Sequence, residues 1–248
     1  MIAEVVRLTA RQLLGRRRTA LLVLLAAVPL LPALAFRATG ADTGSIAGDR
    51  AFIGSIFNAL GVTLLLPLVA LLFGTAVFGS DIEDGTVLFL LAKPLPRWRI
   101  VCAKLAVASV ATGLLTAGSV VVTGAVALGG LPGADRIIVG YTAGTVAGSV
   151  VYSALFVALS LLTARALIVG LVYVLLWEGA LANFFSGIRV LSVRQYTLGI
   201  ADAAGVGGQI TPDALGGAAA LALALVVTIG ATLLAVHRLQ TFEVPQAD

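Results

Sequence analysis

Ser80-Asp81-Ile82-Glu83-Asp84-Gly85-Thr86-Val87-Leu88-Phe89-Leu90-Leu91-Ala92-Lys93-Pro94-Leu95-Pro96-Arg97-Trp98-Arg99, closing at Lys104, stands between two long apolar runs. Acids, a short apolar turn, prolines and a basic cluster follow one another in that order. Everything around the stretch is membrane-like, so it reads as a structured connector between two spans and as a docking surface rather than a plain loop. Gly85-Thr86 breaks the preceding helix and starts another, with Asp84 or Thr86 as N-cap. Val87 to Ala92 then forms less than two turns before Pro94 and Pro96 stop it. Phe89, Leu90 and Leu91 are either buried against the protein's own helices or offered to a partner. Arg97, Arg99 and Lys104 are expected to anchor the start of the next span at the lipid headgroups.

The chain of 248 residues is 60% hydrophobic and only 11% charged, with mean hydropathy +1.09. Soluble domains run at about 25% charged and about 45–50% apolar, so an ordinary soluble protein is excluded. A spanning helix needs about 20 mostly apolar residues. Runs of that kind occupy 19–36, 55–79, 104–129, 137–162, 166–185 and 216–236. The stretch 137–185 is too long for one span and right for two, with Arg165 capping a tight hairpin between them. The expected fold is therefore all-α and integral to the membrane, one domain over 1–248 with six transmembrane helices. The connector, 80–103, joins the second and third of them.

Basic residues orient the bundle. One side carries Arg7, Arg11, Arg16, Arg17, Arg18, Lys93, Arg97, Arg99, Lys104, Arg165 and Arg238; the other carries Arg37, Arg50, Arg136, Arg189 and Arg194. The bias places both termini and the connector in the cytoplasm, in a multi-pass protein of the inner or plasma membrane. Arg16-Arg17-Arg18, an apolar run and Ala33-Leu34-Ala35 imitate a cleavable signal peptide, but the long leading segment and the spans that follow favour an uncleaved first helix. Residues 1–18 read as an interfacial helix, because Ile2, Val5, Val6 and Leu13 are apolar where Glu4, Arg7 and Arg11 are polar; a basic topology tail is the alternative. The outer segment 186–215 holds Arg189, Arg194, Gln195, Tyr196 and Asp202, and its part from Ile188 to Ile200 suits a short re-entrant or surface helix.

The residues argue against several chemistries. A net charge of +4 without a basic patch interleaved with stacking aromatics gives no nucleic-acid site. With Cys102 and His237 alone of their kinds, the chain makes no internal disulfide and no Cys/His metal cluster. Asp81, Glu83 and Asp84 are local carboxylates without further ligands, which is weak ground for a divalent cation. Both lysines, Lys93 and Lys104, are followed by Pro and Leu, so a phosphate-cradling P-loop is missing. No nucleophile–base pair suggests catalysis. The expectation is a protein that is not an enzyme and binds no metal or cofactor of its own.

Within the spans, Glu178 beside Trp177 is a costly intramembrane carboxylate. It lines a translocation path or pairs with Arg189 or Arg194; alternatively it is an interfacial acid next to a belt tryptophan. Asn58 and Asn183 are weaker candidates for the same path. Pro67 is placed to kink the second span. Gly140-x-x-x-Gly144-x-x-x-Gly148 is the best candidate for a tight helix–helix contact. A passive channel is disfavoured for want of a repeated polar or charged stripe through any span.

The pattern Glu83-x-Gly85-Thr86-x-x-x-Leu90-Leu91-Ala92-x-Pro94-x-x-Arg97, followed by Lys104, resembles the connector of ABC-2 type exporter permeases. The pattern covers about a tenth of the chain, and the six-span layout with its interfacial N-terminal helix matches over the whole length. Ala103 stands where Gly is common before the lysine, and Pro94 and Pro96 replace a single proline. The resemblance implies a membrane subunit of an ABC exporter that couples hydrolysis by a separate ATPase to translocation. Residues 85–92 would be the coupling helix, seated in a groove of the ATPase. Glu83, Gly85, Thr86, Leu90, Leu91, Pro94 and Arg97 would carry the coupling, Glu83 by orienting the ATPase, and Pro94 and Arg97 by fixing the helix relative to the membrane. The implied partners are two copies of the ATPase, which hold ATP and Mg, a second permease copy or paralogue, and the lipid bilayer. The alternative is a non-transporting membrane component that anchors the ATPase or passes its motion to another protein.

Overall fold

The computed structural model describes residues 6–9, 17–39, 45–83, 96–181, 190–206 and 215–241, and among them every regular element is helical. In chain order they are α1 (Arg17–Ala26), α2 (Leu30–Thr39), α3 (Ile46–Ile56), a π-helical stretch Phe57–Leu65, α4 (Leu66–Glu83), α5 (Arg97–Leu128) and α6 (Ala134–Leu162). Then come α7 (Ala166–Val172) running into π-helical Tyr173–Leu181, α8 (Val193–Ala201) running into π-helical Asp202–Val206, and α9 (Gly217–Gln240).

Five described segments are long and apolar enough to cross a membrane: Ala20–Ala38, Ile46–Asp81, Arg97–Leu128, Ala134–Leu162 and Gly217–Gln240. A shorter apolar helix covers Ala166–Gly179. Lipid offers the backbone no hydrogen-bond partners, so a spanning chain must satisfy its own, and helices do so within one segment. At 1.5 Å per residue α5 is roughly 48 Å long. That exceeds a hydrocarbon core of about 30 Å, so α5 projects beyond the apolar slab.

Breaks in these helices have local causes. Pro29 lacks an N–H, and the chain turns at 27–29 between α1 and α2, with Ala27 and Val28 still donating back into α1. Pro67 likewise cannot donate back along its helix. The wider π turns lie just before it: the Leu66 N–H reaches the Gly61 carbonyl, and the Thr63 hydroxyl donates to the Asn58 carbonyl at 2.7 Å. Between α5 and α6 the chain reverses through Gly130 and Gly133, whose φ angles of 94° and 74° fall where side chains are disfavoured.

Helix α6 is the axis of the bundle and packs against α4, α5, α8 and α9. At the connector end Val69, Phe73, Val77 and Phe78 of α4 meet Ile100, Val101 and Ala108 of α5 and Ala154, Val157 and Leu161 of α6. At the opposite end Ala33, Ile53, Phe57, Leu128, Ile137 and Tyr141 form a second cluster. Leu21, Val23 and Leu24 on one flank, and Val226, Ile229 and Leu233 on the other, are exposed and face what would be lipid.

Apolar burial drives helices together weakly in lipid, so close approach of small residues matters more. The glycine stripe of α6 is where this happens. A methyl added at Gly144 would lie 2.8 Å from the Ala201 Cβ, and one at Gly148 would lie 2.8 Å from Leu66 Cδ2 and closer still to the Thr197 hydroxyl. The stripe thus seats α8, whose Val193, Tyr196, Thr197, Leu198 and Ala201 are buried.

One reading of the sequence is corrected here. Helix α5 does carry a repeated polar stripe: Ser109, Thr112, Thr116, Ser119 and Thr123 are all buried, on one face at helical spacing. Some return their hydroxyls to backbone carbonyls, Thr116 to Thr112 at 2.8 Å and Ser119 to Ala26 at 2.5 Å. Hydroxyls that bond a carbonyl in this way ride inside an apolar helix at little cost, which is why the run read as simply hydrophobic.

Candidate functional site

The connector leaves α4 at Glu83 and re-enters the described chain at Pro96, immediately before α5. Of the residues expected to carry coupling, Glu83 closes α4 and Arg97 opens α5. Gly85, Thr86, Leu90, Leu91 and Pro94 lie outside the described residues, as does Asn183.

The base of the connector is held by two cations. Lys104, 1% exposed, forms a buried ion pair with Asp81, donates to the Val77 carbonyl, and places its ammonium 4.5 Å from the Phe78 ring centroid. Lys104 is therefore not a headgroup anchor. Helix α5 begins at Arg97, ahead of the expected span start, which puts Lys104 about 10 Å into the helix. An ammonium buried in this apolar cluster persists only with partners, and α4 supplies all three. The pair ties the two helices that flank the connector.

Arg97 makes the second tie. One guanidinium nitrogen, Nη1, donates to the carbonyls of Leu239 and Gln240, each at 2.6 Å. These are last-turn carbonyls of α9 without helical partners, and a cation there also complements the helix dipole. Arg99 lies over Trp98 with its guanidinium carbon 5.3 Å from the ring centroid; both side chains are exposed beside the exposed Cys102.

In the middle of the bundle, where Val174 and Val193 pack with Tyr152 of α6, the charges are used differently. Glu178 lies in the π-helical stretch after α7 and is 1% exposed. Its carboxylate accepts from the Tyr173 hydroxyl at 3.2 Å, from the Ser192 hydroxyl and from the Val193 N–H at 2.9 Å. Ser192 is the N-cap of α8 and makes no side-chain cap bond of its own, so the Glu178 carboxylate serves the helix start instead. Arg194, on the first turn of α8, donates to Asn58 Oδ1 at 3.0 Å. Glu178 and Asn58 are thus brought together through α8, which they fasten to two different helices. Arg189, the other cation considered for Glu178, is outside the described residues. At the end opposite the connector Tyr141 donates to the Gly54 carbonyl at 3.1 Å, and Arg37 clasps a helix end as Arg97 does, donating to the carbonyls of Val126 and Gly129 at the end of α5, at 3.1 and 3.2 Å.

Sequence reasoning missed Asp81 and Lys104 as a pair, and missed the acceptors of Arg97. An acid and a lysine flanking a connector at similar distances from its ends were a usable signal for the first; nothing marked the second. Among the described residues no three metal-ligating side chains gather, and none of the ties described offers a reacting group. The arrangement ties helices to one another at several points.

A comparison with curated proteins finds no match. The family described as "ABC-2 family transporter protein" matches residues 7–200, which takes in the connector, both of its helical roots and α8 up to Ile200. The chain belongs to the ABC-2 family of transporter proteins, a multi-pass membrane permease component of an ABC transporter.

Proposed function

We propose that this chain is the export permease of an ATP-driven transporter, driven through residues 85–92 by a separate ATPase. In this reading it crosses the inner or plasma membrane six times, the helix at Ala166–Gly179 contributing the fifth crossing, with both termini and the connector in the cytoplasm. Two permease copies, identical or paralogous, enclose a path, and two ATPase subunits beneath them hold ATP and Mg. Glu83, Gly85, Thr86, Leu90, Leu91 and Pro94 form the contact surface. The observation that carries the reading is the tied base of the connector, where Lys104 and Asp81 join its two roots and Arg97 joins it to α9. A push on a connector so rooted is delivered to three helices at once.

Glu178 and Asn58 take a different part in this proposal from the one their chemistry first suggested. Both are engaged in holding α8, so they fix a wall of the path rather than meeting cargo directly. The test is the ATPase activity of the co-purified complex. Glu83→Ala and Thr86→Pro are each expected to lower it several-fold while the complex stays assembled. Parental ATPase activity in both variants would overturn the coupling.

A further inference from the structure

We infer that Arg97 is a positioning residue that carries connector motion into the last helix, α9. The inference rests on the coupling reading above. Arg97 lies at the first position of α5 and acts through the α9 carbonyls it holds. The geometry has two parts. Through Lys104 and Asp81 the connector's roots behave as one body, because separating them would strand a buried ammonium. Through Arg97 that body grips the carbonyls of Leu239 and Gln240, in a chain segment 142 residues away in sequence. Elsewhere α9 meets the bundle through small buried residues, Ala220, Ala224, Ala231 and Ala235, with Leu239 buried in its last turn and Leu223, Val227 and Val236 packed against the core. Such contacts hold the helices close, but they are apolar and non-directional. The Arg97 bonds are directional and sit at the helix end, where they resist sliding along the axis.

The bonds have a chemical signature that allows a sharp test. Both come from a single nitrogen, so the planar fork of arginine is not needed and one ammonium can make them both. Arg97→Lys is expected to preserve transmission, and Arg97→Gln to lose it. A nitroxide is attached at Thr241→Cys, an exposed position at the end of α9, in a Cys102→Ser background. The labelled permease is reconstituted with its ATPase in lipid nanodiscs, and spectra are taken with and without ATP–vanadate trapping.

In the parent and in Arg97→Lys, trapping shifts the nitroxide spectrum. In Arg97→Gln the shift disappears, while the ATPase stays bound and still hydrolyses ATP. Arg97→Met, which keeps the side-chain stem, behaves like Arg97→Gln. Persistence of the shift in Arg97→Gln or Arg97→Met, or its absence in the parent, overturns the inference. Failure of the coupling reading is seen separately, as unchanged ATPase activity in Glu83→Ala and Thr86→Pro.

Discussion

Two places in the bundle, the connector end and the middle, hold helix ends with opposite charges. At the connector end, cations are buried or clasped: Lys104 against Asp81 and Arg97 against the carbonyl end of α9. In the middle an anion is buried, Glu178, against the amide end of α8. Arg97 and Glu178 sit where the helix dipole favours them. The two places differ in what happens when the tie is cut. Removing either partner of the Lys104–Asp81 pair would leave a full charge unpaired in an apolar cluster, whereas removing Glu178 would strand only neutral donors. The connector end is thus held by a buried ion pair, and the start of α8 by hydrogen bonds to a carboxylate.

The sharpest way to break this comparison is at Lys104. Lys104→Ala should destabilise the protein by about 3–5 kcal/mol, because a buried carboxylate loses its partner. Asp81→Leu combined with Lys104→Met should recover most of that stability, since a volume-matched apolar pair replaces a buried ion pair at little cost. Thermal unfolding in detergent micelles reads both; equal loss in the single and double variants would remove the pair from the account.

Glu178→Ala comes next, at about 1–3 kcal/mol for the stranded donors. Its effect should be local, with amide exchange rising over residues 193–201 and remaining unchanged in α5. Uniform protection across the chain would mean that the carboxylate does not hold α8. Gly144→Ala is expected to cost about 1–3 kcal/mol through overpacking, with the same local exchange signature, since the added methyl meets Ala201 of α8. Arg97→Gln is the smallest in stability, on the order of 0.3–1 kcal/mol for a charge at a helix end. A larger loss of stability would make Arg97 a general structural support rather than a link to α9.

What the sequence revealed follows from which signals are local. Apolar length exposed the membrane spans. The glycine spacing on α6 marked a close contact, and Glu178 stood out because a carboxylate in such a run must be satisfied. The partners were not legible. Glu178 is met partly by a backbone N–H, and Arg97 by backbone carbonyls, and backbone groups carry no residue signature. Lys104 was misplaced because the helix start was drawn where hydropathy rises, whereas the helix itself begins with polar Arg97-Trp98-Arg99. The π-helical stretches at Phe57–Leu65 and Tyr173–Leu181 had no sequence mark beyond Pro67. The Ser109-to-Thr123 stripe was present at helical spacing all along, hidden by the mild polarity of hydroxyls.

The central claim is that one end of this bundle receives an ATPase and the other does not. Single photo-crosslinking residues placed at positions 85–92, and at Gly130 and Leu131 in the opposite turn, test it directly in cells that co-express the ATPase. The account predicts cross-linked permease–ATPase product from several positions within 85–92 and none from the opposite turn. Product from the turn, or its absence from every position between 85 and 92, would contradict it.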